Sequence, residues 1–300
     1  MRDLALADGR RLDVLVGGAA TGPVIVLHHG TPADATCWAD WHEDAERRGA
    51  RIVSVSRPGY ATSTRLPGRD VARAAADVAA VLDQLGVHEY VTAGWSGGGP
   101  HALACAALHG GRCVAAATLA GAAPYGVPGL DFLEGMGPEN VAEFGASLQG
   151  ETVLRAWFAE HGEPFRHVTG AELADAFGGL VPAIDKQVLQ GGYADHMAAE
   201  TRRALSGGFD GWVDDDLAFV RPWGFDLDRI TVPVTVWQGD LDLMVPAAHG
   251  AWLVDHVPGA QARTPSGHGH ISLVTEHRGE ILDWLLDRQW ANGGAGAQSR

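Results

Sequence analysis

The chain has 300 residues, 46% of them hydrophobic and 20% charged, with a formal net charge of −15. That length and apolar content support a large core in one or two domains and exclude a mainly disordered chain. The 41 glycines fall without a period, which excludes a collagen-like repeat, and the acidity argues against nucleic acid and anionic membrane surfaces as partners.

The opening residues lack an apolar stretch long enough for a secretory signal, so a cytoplasmic location is expected. Residues 11–17 and 23–29 read as strands. The second carries the continuous run Val24, Ile25, Val26, Leu27, as expected of a strand covered on both faces. Residues 38–48 look helical, residues 51–56 form the next strand, and an Ala-rich amphipathic helix over 71–85 stops at Gly86. Residues 90–111 hold no Asp, Glu, Lys or Arg and have the length of a membrane span. Their centre, Gly94-Trp95-Ser96-Gly97-Gly98-Gly99-Pro100, would break a spanning helix. A strand over 90–93, a sharp turn and a buried helix from about residue 100 to 108 are expected instead, then a strand over 113–119. Such alternation points to an α/β fold with a mostly parallel sheet.

The pattern changes from about residue 124 to 225, where helical segments occur without a convincing strand. Residues 131–228 contain 18 acidic and 6 basic side chains, so −12 of the chain's −15 is concentrated there. The run Asp214-Asp215-Asp216 reads as a solvated surface. A buried strand over 231–237, a helix over 247–257, a short strand over 260–264 and a closing helix over 274–290 complete the chain, with residues 292–300 read as a disordered tail. The expected organisation is a core of residues 1–123 and 226–291, interrupted by a helical insertion at 124–225. Cys37, Cys105 and Cys113 are odd in number and lack metal-ligand spacing, so they read as buried apolar residues in a reduced compartment.

Gly94-Trp95-Ser96-Gly97-Gly98 matches G-x-S-x-G, a weak pattern alone in a glycine-rich chain. Its setting between a strand and a helix gives it weight, because a nucleophile elbow presents a serine Oγ at the sheet edge on such a turn. A serine needs a base and an orienting acid, expected in the chain order Ser, acid, His after the ends of later strands. Asp240 and Asp242 compete as the acid, and His268 and His270 as the base. His28 and His29 are neighbours on a strand and point to opposite faces, so they read as a polar strand end. No metal site and no cofactor are expected.

The whole arrangement resembles the α/β-hydrolase superfamily, from His28-His29-Gly30-Thr31-Pro32 to the closing helix. That resemblance implies an α/β-hydrolase fold with an inserted helical cap over residues 124–225. Its acid loop, G-x-x-D-x-x-V-P, falls on Asp242 and leaves Asp240 as a loop residue; its G-H-[LI]-S-L pattern falls on His270 in preference to His268. The oxyanion donors it implies are the backbone N–H groups of Thr31 and Gly97. Arg57-Pro58-Gly59-Tyr60 resembles a structural turn of the family. Trp95 is a candidate pocket residue, and Trp38 and Trp41 are weaker ones. Serine at position 96 disfavours epoxide hydrolase and dehalogenase activity, whose family members carry aspartate there. The implied function is hydrolysis of a small-molecule carboxylic ester, with a neutral or cationic substrate favoured by the acidic insertion. Two alternatives remain at this level: an aminopeptidase resembling proline iminopeptidases, and a non-turnover ligand-binding or signalling member of the fold.

Overall fold

The computed structural model describes residues 1–190 and 192–297, with side chains through Ala291. One sheet holds β1 (Arg2–Ala5), β2 (Arg11–Gly18), β3 (Val24–His28), β4 (Arg51–Val55), β5 (Tyr90–Trp95), β6 (Cys113–Leu119), β7 (Val234–Trp237) and β8 (Gln261–Arg263). Their order across it is β1-β2-β4-β3-β5-β6-β7-β8. From β4 to β8 neighbours run parallel, whereas β2 lies antiparallel to both β1 and β4. The expected α/β architecture is therefore present, with one addition. The short β1 has no strong pattern of its own and forms by pairing with β2, Arg2 opposite Val14.

The helices are α1 (His42–Arg47), α2 (Arg73–Gln84), α3 (Gly98–Leu108), then α4 (Pro138–Leu148), α5 (Glu151–His161), α6 (Gly170–Ala176), α7 (Ala183–Val188), α8 (Gly192–Ala204) and α9 (Asp210–Phe219) between β6 and β7, and finally α10 (Ala247–His256), α11 (His270–Glu276) and α12 (Arg278–Ala297). Among the described residues the stretch from α4 to α9 contains no strand. The helix expected over 38–48 is divided: a 3-10 segment, Ala35–Trp41, capped by the Asp34 side chain, precedes α1. The closing helix is likewise two helices. Because an established helix gains one hydrogen bond per added residue, α12 continues through Ala297 into the stretch expected to be disordered; residues 298–300 lie outside the described residues. No described helix is long and apolar enough to cross a membrane.

Alternation along β3 explains how the sheet is covered on both sides. Val24 and Val26 join one apolar layer, with Leu82, Leu103 and Leu253, while Ile25 and Leu27 join the other, with Ile52, Val91 and Leu285. Trp38 and Trp41 pack edge to face in the second layer, ring centroids 4.8 Å apart, as core residues. A third cluster belongs to the insertion, where Leu154, Phe158, Trp212 and Leu217 enclose Tyr60 from the loop after β4. The three cysteines are buried and unpaired.

One expectation is overturned. Asp214, Asp215 and Asp216 on α9 are all buried rather than solvated. Buried carboxylates need partners, and these come from the segment after β4. Arg65 meets Asp214 at 2.9 Å, and Arg57 and Arg69 each meet Asp215 at 2.6 Å. In the opposite sense, Arg203 of α8 reaches the buried Asp34 at 2.6 Å. The local acidity is thus partly neutralised by arginines from outside the acidic segment. No local pattern reveals this, because the partners stand some 150 residues apart along the chain.

Burial alone would raise the Asp215 carboxyl, but the adjacent Arg57 and Arg69 guanidinium groups outweigh it and hold the acid well below the usual carboxylate range. Asp215→Asn is expected to lower the unfolding free energy by about 3–5 kcal/mol in urea titrations, since two buried guanidinium groups lose their counter-charge. The lowered folded-state pKa sets the sign of its pH dependence. The penalty is complete above about pH 4 and shrinks as the pH falls toward the folded-state value, because acid protonates the native carboxylate as well.

Candidate active site

β5 ends at Trp95 and α3 starts at Gly98, leaving two residues to reverse the chain. Ser96 absorbs the turn with φ of +54°, a conformation that costs a non-glycine residue on the order of 1 kcal/mol. Glycine is required on either side for a steric reason. A Cβ at Gly94 would run into the Gly98 carbonyl oxygen, and a Cβ at Gly98 into that of His28. Within the buried run from Tyr90 to Ala107, Ser96 is the one residue left partly exposed. The turn thus presents its hydroxyl to a cavity of about 560 Å³ that His270, Thr31, Gly97 and Trp95 also line.

The structure separates the competing residues clearly. His270, the first residue of α11, directs Nδ1 at Asp242 Oδ2 at 2.8 Å, and both side chains are buried. Asp242 Oδ1 accepts the N–H groups of Met244 and Val245, each at 2.9 Å, and Gln238 Nε2 donates to Oδ2 at 3.2 Å. Donors therefore fix the carboxyl in one orientation. Asp240 is exposed and accepts from Ser266 and Gly267 instead. His268 faces Glu276 at 3.2 Å and does not line the cavity. Trp95 braces His270 from the other side: its Nε1 donates to the His270 carbonyl oxygen at 3.1 Å, and its ring lies 5.4 Å from the imidazole.

Thr31 and Gly97 are brought together, and a Cβ on Gly97 would strike both Thr31 Oγ1 and the Phe219 ring. The loop carrying Thr31 is held by Arg57, which donates to the carbonyl oxygens of His29 at 2.6 Å and Gly30 at 2.8 Å. Thr31 Oγ1 in turn donates to Asp215 Oδ2 at 2.8 Å, as does Tyr60 Oη at 2.9 Å. Arg57 and Tyr60, expected to form a structural turn, thus anchor the loop at the cavity mouth. His28 and His29 are buried rather than a polar strand end. Burial, with Arg57 adding to it, pushes His28 down to about 3, and His29 also falls well below the usual range. Neutral His29 accepts the Arg57 N–H at Nε2 and donates from Nδ1 to Gly30 O. Among the described residues no group of three potential ligands is placed to hold a metal ion.

A match to the family model described as alpha/beta hydrolase fold spans residues 23–277. The chain belongs to the α/β-hydrolase family. It is 29% identical to a non-heme haloperoxidase of Rhodococcus erythropolis over 77% of this chain and 79% of the relative. Epoxide hydrolase B of Mycobacterium tuberculosis is 28% identical over 47% of this chain and 40% of its own length. Among solved structures, an esterase from Rhodococcus sp. ECU1013 superposes with a TM-score of 0.65 at 25% identity, covering 95% of this chain and 98% of the other.

Two supports of this site had no signal in the local sequence. One is Asp215. The other is Asp185 on α7, whose carboxylate is fully buried and accepts the N–H groups of Ile271 at 3.1 Å and Ser272 at 2.9 Å. It caps the N-terminus of the helix that begins with His270, and it lies so close to Gly269 that a Cβ there would collide with it. Asp185→Ala is expected to cost about 1–2 kcal/mol in stability. It should also slow phosphonylation of Ser96 by a fluorophosphonate about tenfold or more, through displacement of His270. Asp185→Asn keeps one acceptor oxygen and should retain more of the labelling rate than Ala; equal rates in both variants would remove the positioning role.

Proposed function

We propose that the protein is a serine hydrolase of small-molecule carboxylic esters, working through Ser96, His270 and Asp242. The observation that carries this reading is the 2.8 Å contact from His270 Nδ1 to Asp242 Oδ2 at a cavity that also holds the strained Ser96. In the proposed reaction His270 Nε2 takes the Ser96 hydroxyl proton as Oγ attacks the ester carbonyl carbon. Asp242 holds the Nδ1–H tautomer and stabilises the imidazolium. The backbone N–H groups of Thr31 and Gly97 receive the negative charge that develops on the carbonyl oxygen. Collapse of the tetrahedral species expels the alcohol, which takes the proton from His270, and leaves an acyl-Ser96 ester. Water, deprotonated by the same His270, then attacks the acyl carbon; collapse breaks the acyl–Oγ bond, releases the carboxylic acid and returns the His270 proton to Ser96 Oγ. Every step uses side chains and backbone of this chain.

The esterase neighbour supports the ester reading. Serine at position 96 separates this chain from the aspartate-dependent chemistry implied for its epoxide hydrolase relative. Labelling with a fluorophosphonate followed by peptide mapping should modify Ser96 alone, and Ser96→Ala should lower p-nitrophenyl ester turnover by a factor on the order of 10³ or more. His270→Gln should produce a similar loss, whereas His268→Gln retains activity. Labelling of a different serine, or faster cleavage of a proline arylamide than of the ester, would replace this reading.

A further inference from the structure

The insertion contributes an unusual wall to the same cavity. Glu139, Glu143, Glu200 and Asp216 line it, and no Arg or Lys is found among its described lining residues. Glu139 stands at the exposed rim, and Glu200 is buried beside Cys37 and Asp34. Glu143 of α4 and Asp216 of α9 face one another within hydrogen-bonding reach. Trp212 Nε1 donates to Glu143 Oε1 at 2.6 Å. Asp216 is only 1% exposed, and its Oδ2 has no hydrogen-bond partner. An unpartnered buried acceptor has lost its hydration without gaining a donor, a cost that a ligand donor would relieve.

We propose that the Glu143–Asp216 carboxyl pair is a binding subsite for a primary ammonium group on the acyl chain or leaving group of the substrate. This inference rests on the ester-hydrolase reading for its kinetic consequence but not for the binding itself. The surroundings suit a cation and no other simple charge. Behind Asp216, Arg69 meets Asp215 at 2.6 Å, although its Nε has no hydrogen-bond partner and its charge also draws the Asp216 carboxyl down. Trp157, Trp212, Phe144 and Phe219 line the same cavity, and aromatic rings attract a cation that reaches their faces. Burial pushes both carboxyls upward; Glu143 adds to the rise at Asp216, which lies well above the usual range, whereas Asp216 and Trp212 draw Glu143 back down. An ammonium group offers three N–H donors. One reaches the orphaned Asp216 Oδ2 and another the Glu143 carboxylate, as charge-assisted hydrogen bonds. A carboxylate in the same place would meet two acids, with no Arg or Lys among the described lining residues.

Three matched series of p-nitrophenyl esters test the subsite, with acyl chains of four to eight carbons ending in an ammonium, a methyl or a carboxylate group. At the best length kcat/KM is expected to rank ammonium above methyl above carboxylate. The ammonium-to-methyl ratio should fall about tenfold in Glu143→Gln and in Asp216→Asn. A ratio of one or less at every length, or a ratio unchanged in both variants, would overturn the proposal. Calorimetric titration of the wild-type protein with hexylammonium chloride, compared with hexanol, reads the same site without turnover and without any variant. Hexylammonium should bind more tightly, and equal or weaker binding would count against the subsite. Failure of every ester together with selective hexylammonium binding would sink the hydrolase reading alone; turnover of methyl-ended esters without charge discrimination would sink the subsite alone.

Discussion

Asp215 is a charge sealed inside the protein, and much of the architecture follows from satisfying it. Its carboxylate sits on a helix of the insertion and is reached by Arg57, Arg69, Tyr60 Oη and Thr31 Oγ1, all from the sheet-bearing part of the chain. Neither the Asp215 carboxylate nor the two guanidinium groups can be left alone at such depth without a penalty of several kcal/mol. The insertion is therefore locked to the core through polar contacts with directional requirements. Arg57 then passes the constraint onward by holding the carbonyl groups of His29 and Gly30. In this way one buried carboxylate sets the course of the loop that ends at Thr31.

The same logic recurs at the other side of the cavity. Asp185, again from the insertion, terminates the backbone donors at the start of α11, and His270 is the first residue of that helix. Each half of the candidate site thus has a support from residues that are not part of the sheet. A helical insertion that merely covered a cavity would need only apolar contacts, such as those around Tyr60. Here it also determines where the candidate base and the candidate oxyanion loop stand. The strained Ser96 turn is independent of this arrangement, because it is imposed by the close approach of β5, α3 and the end of β3 at Gly94 and Gly98.

Charge in the insertion has three destinations that its composition does not distinguish. Asp214 and Asp215 are spent on arginines of the core, Asp185 on a helix terminus, and Glu143 and Asp216 on the wall of the cavity. Three consecutive aspartates on α9 meet different surroundings because successive helix residues are rotated by about 100° from one another. A run of acids normally signals a solvated face; here the facing elements turned it inward.

What the residues alone determine is local. The continuous apolar run of β3, the Gly-x-Ser-x-Gly turn and the alternation of strand with helix depend on neighbours in sequence, so the α/β core, Ser96 and the competing pairs Asp240/Asp242 and His268/His270 could be read from them. The choice between Asp240 and Asp242, or His268 and His270, needed a family pattern, since each pair has the same chemistry two residues apart. The tertiary structure alone decided the contacts made across long stretches of chain. It brought His270 Nδ1 within 2.8 Å of Asp242, buried Asp214 and Asp215 against Arg57, Arg65 and Arg69, and placed Asp185 under the helix of His270. Hydrophobic periodicity records which face of an element is covered. It holds no record of which distant charge covers it, and that pairing emerges only when the insertion and the core are folded against each other.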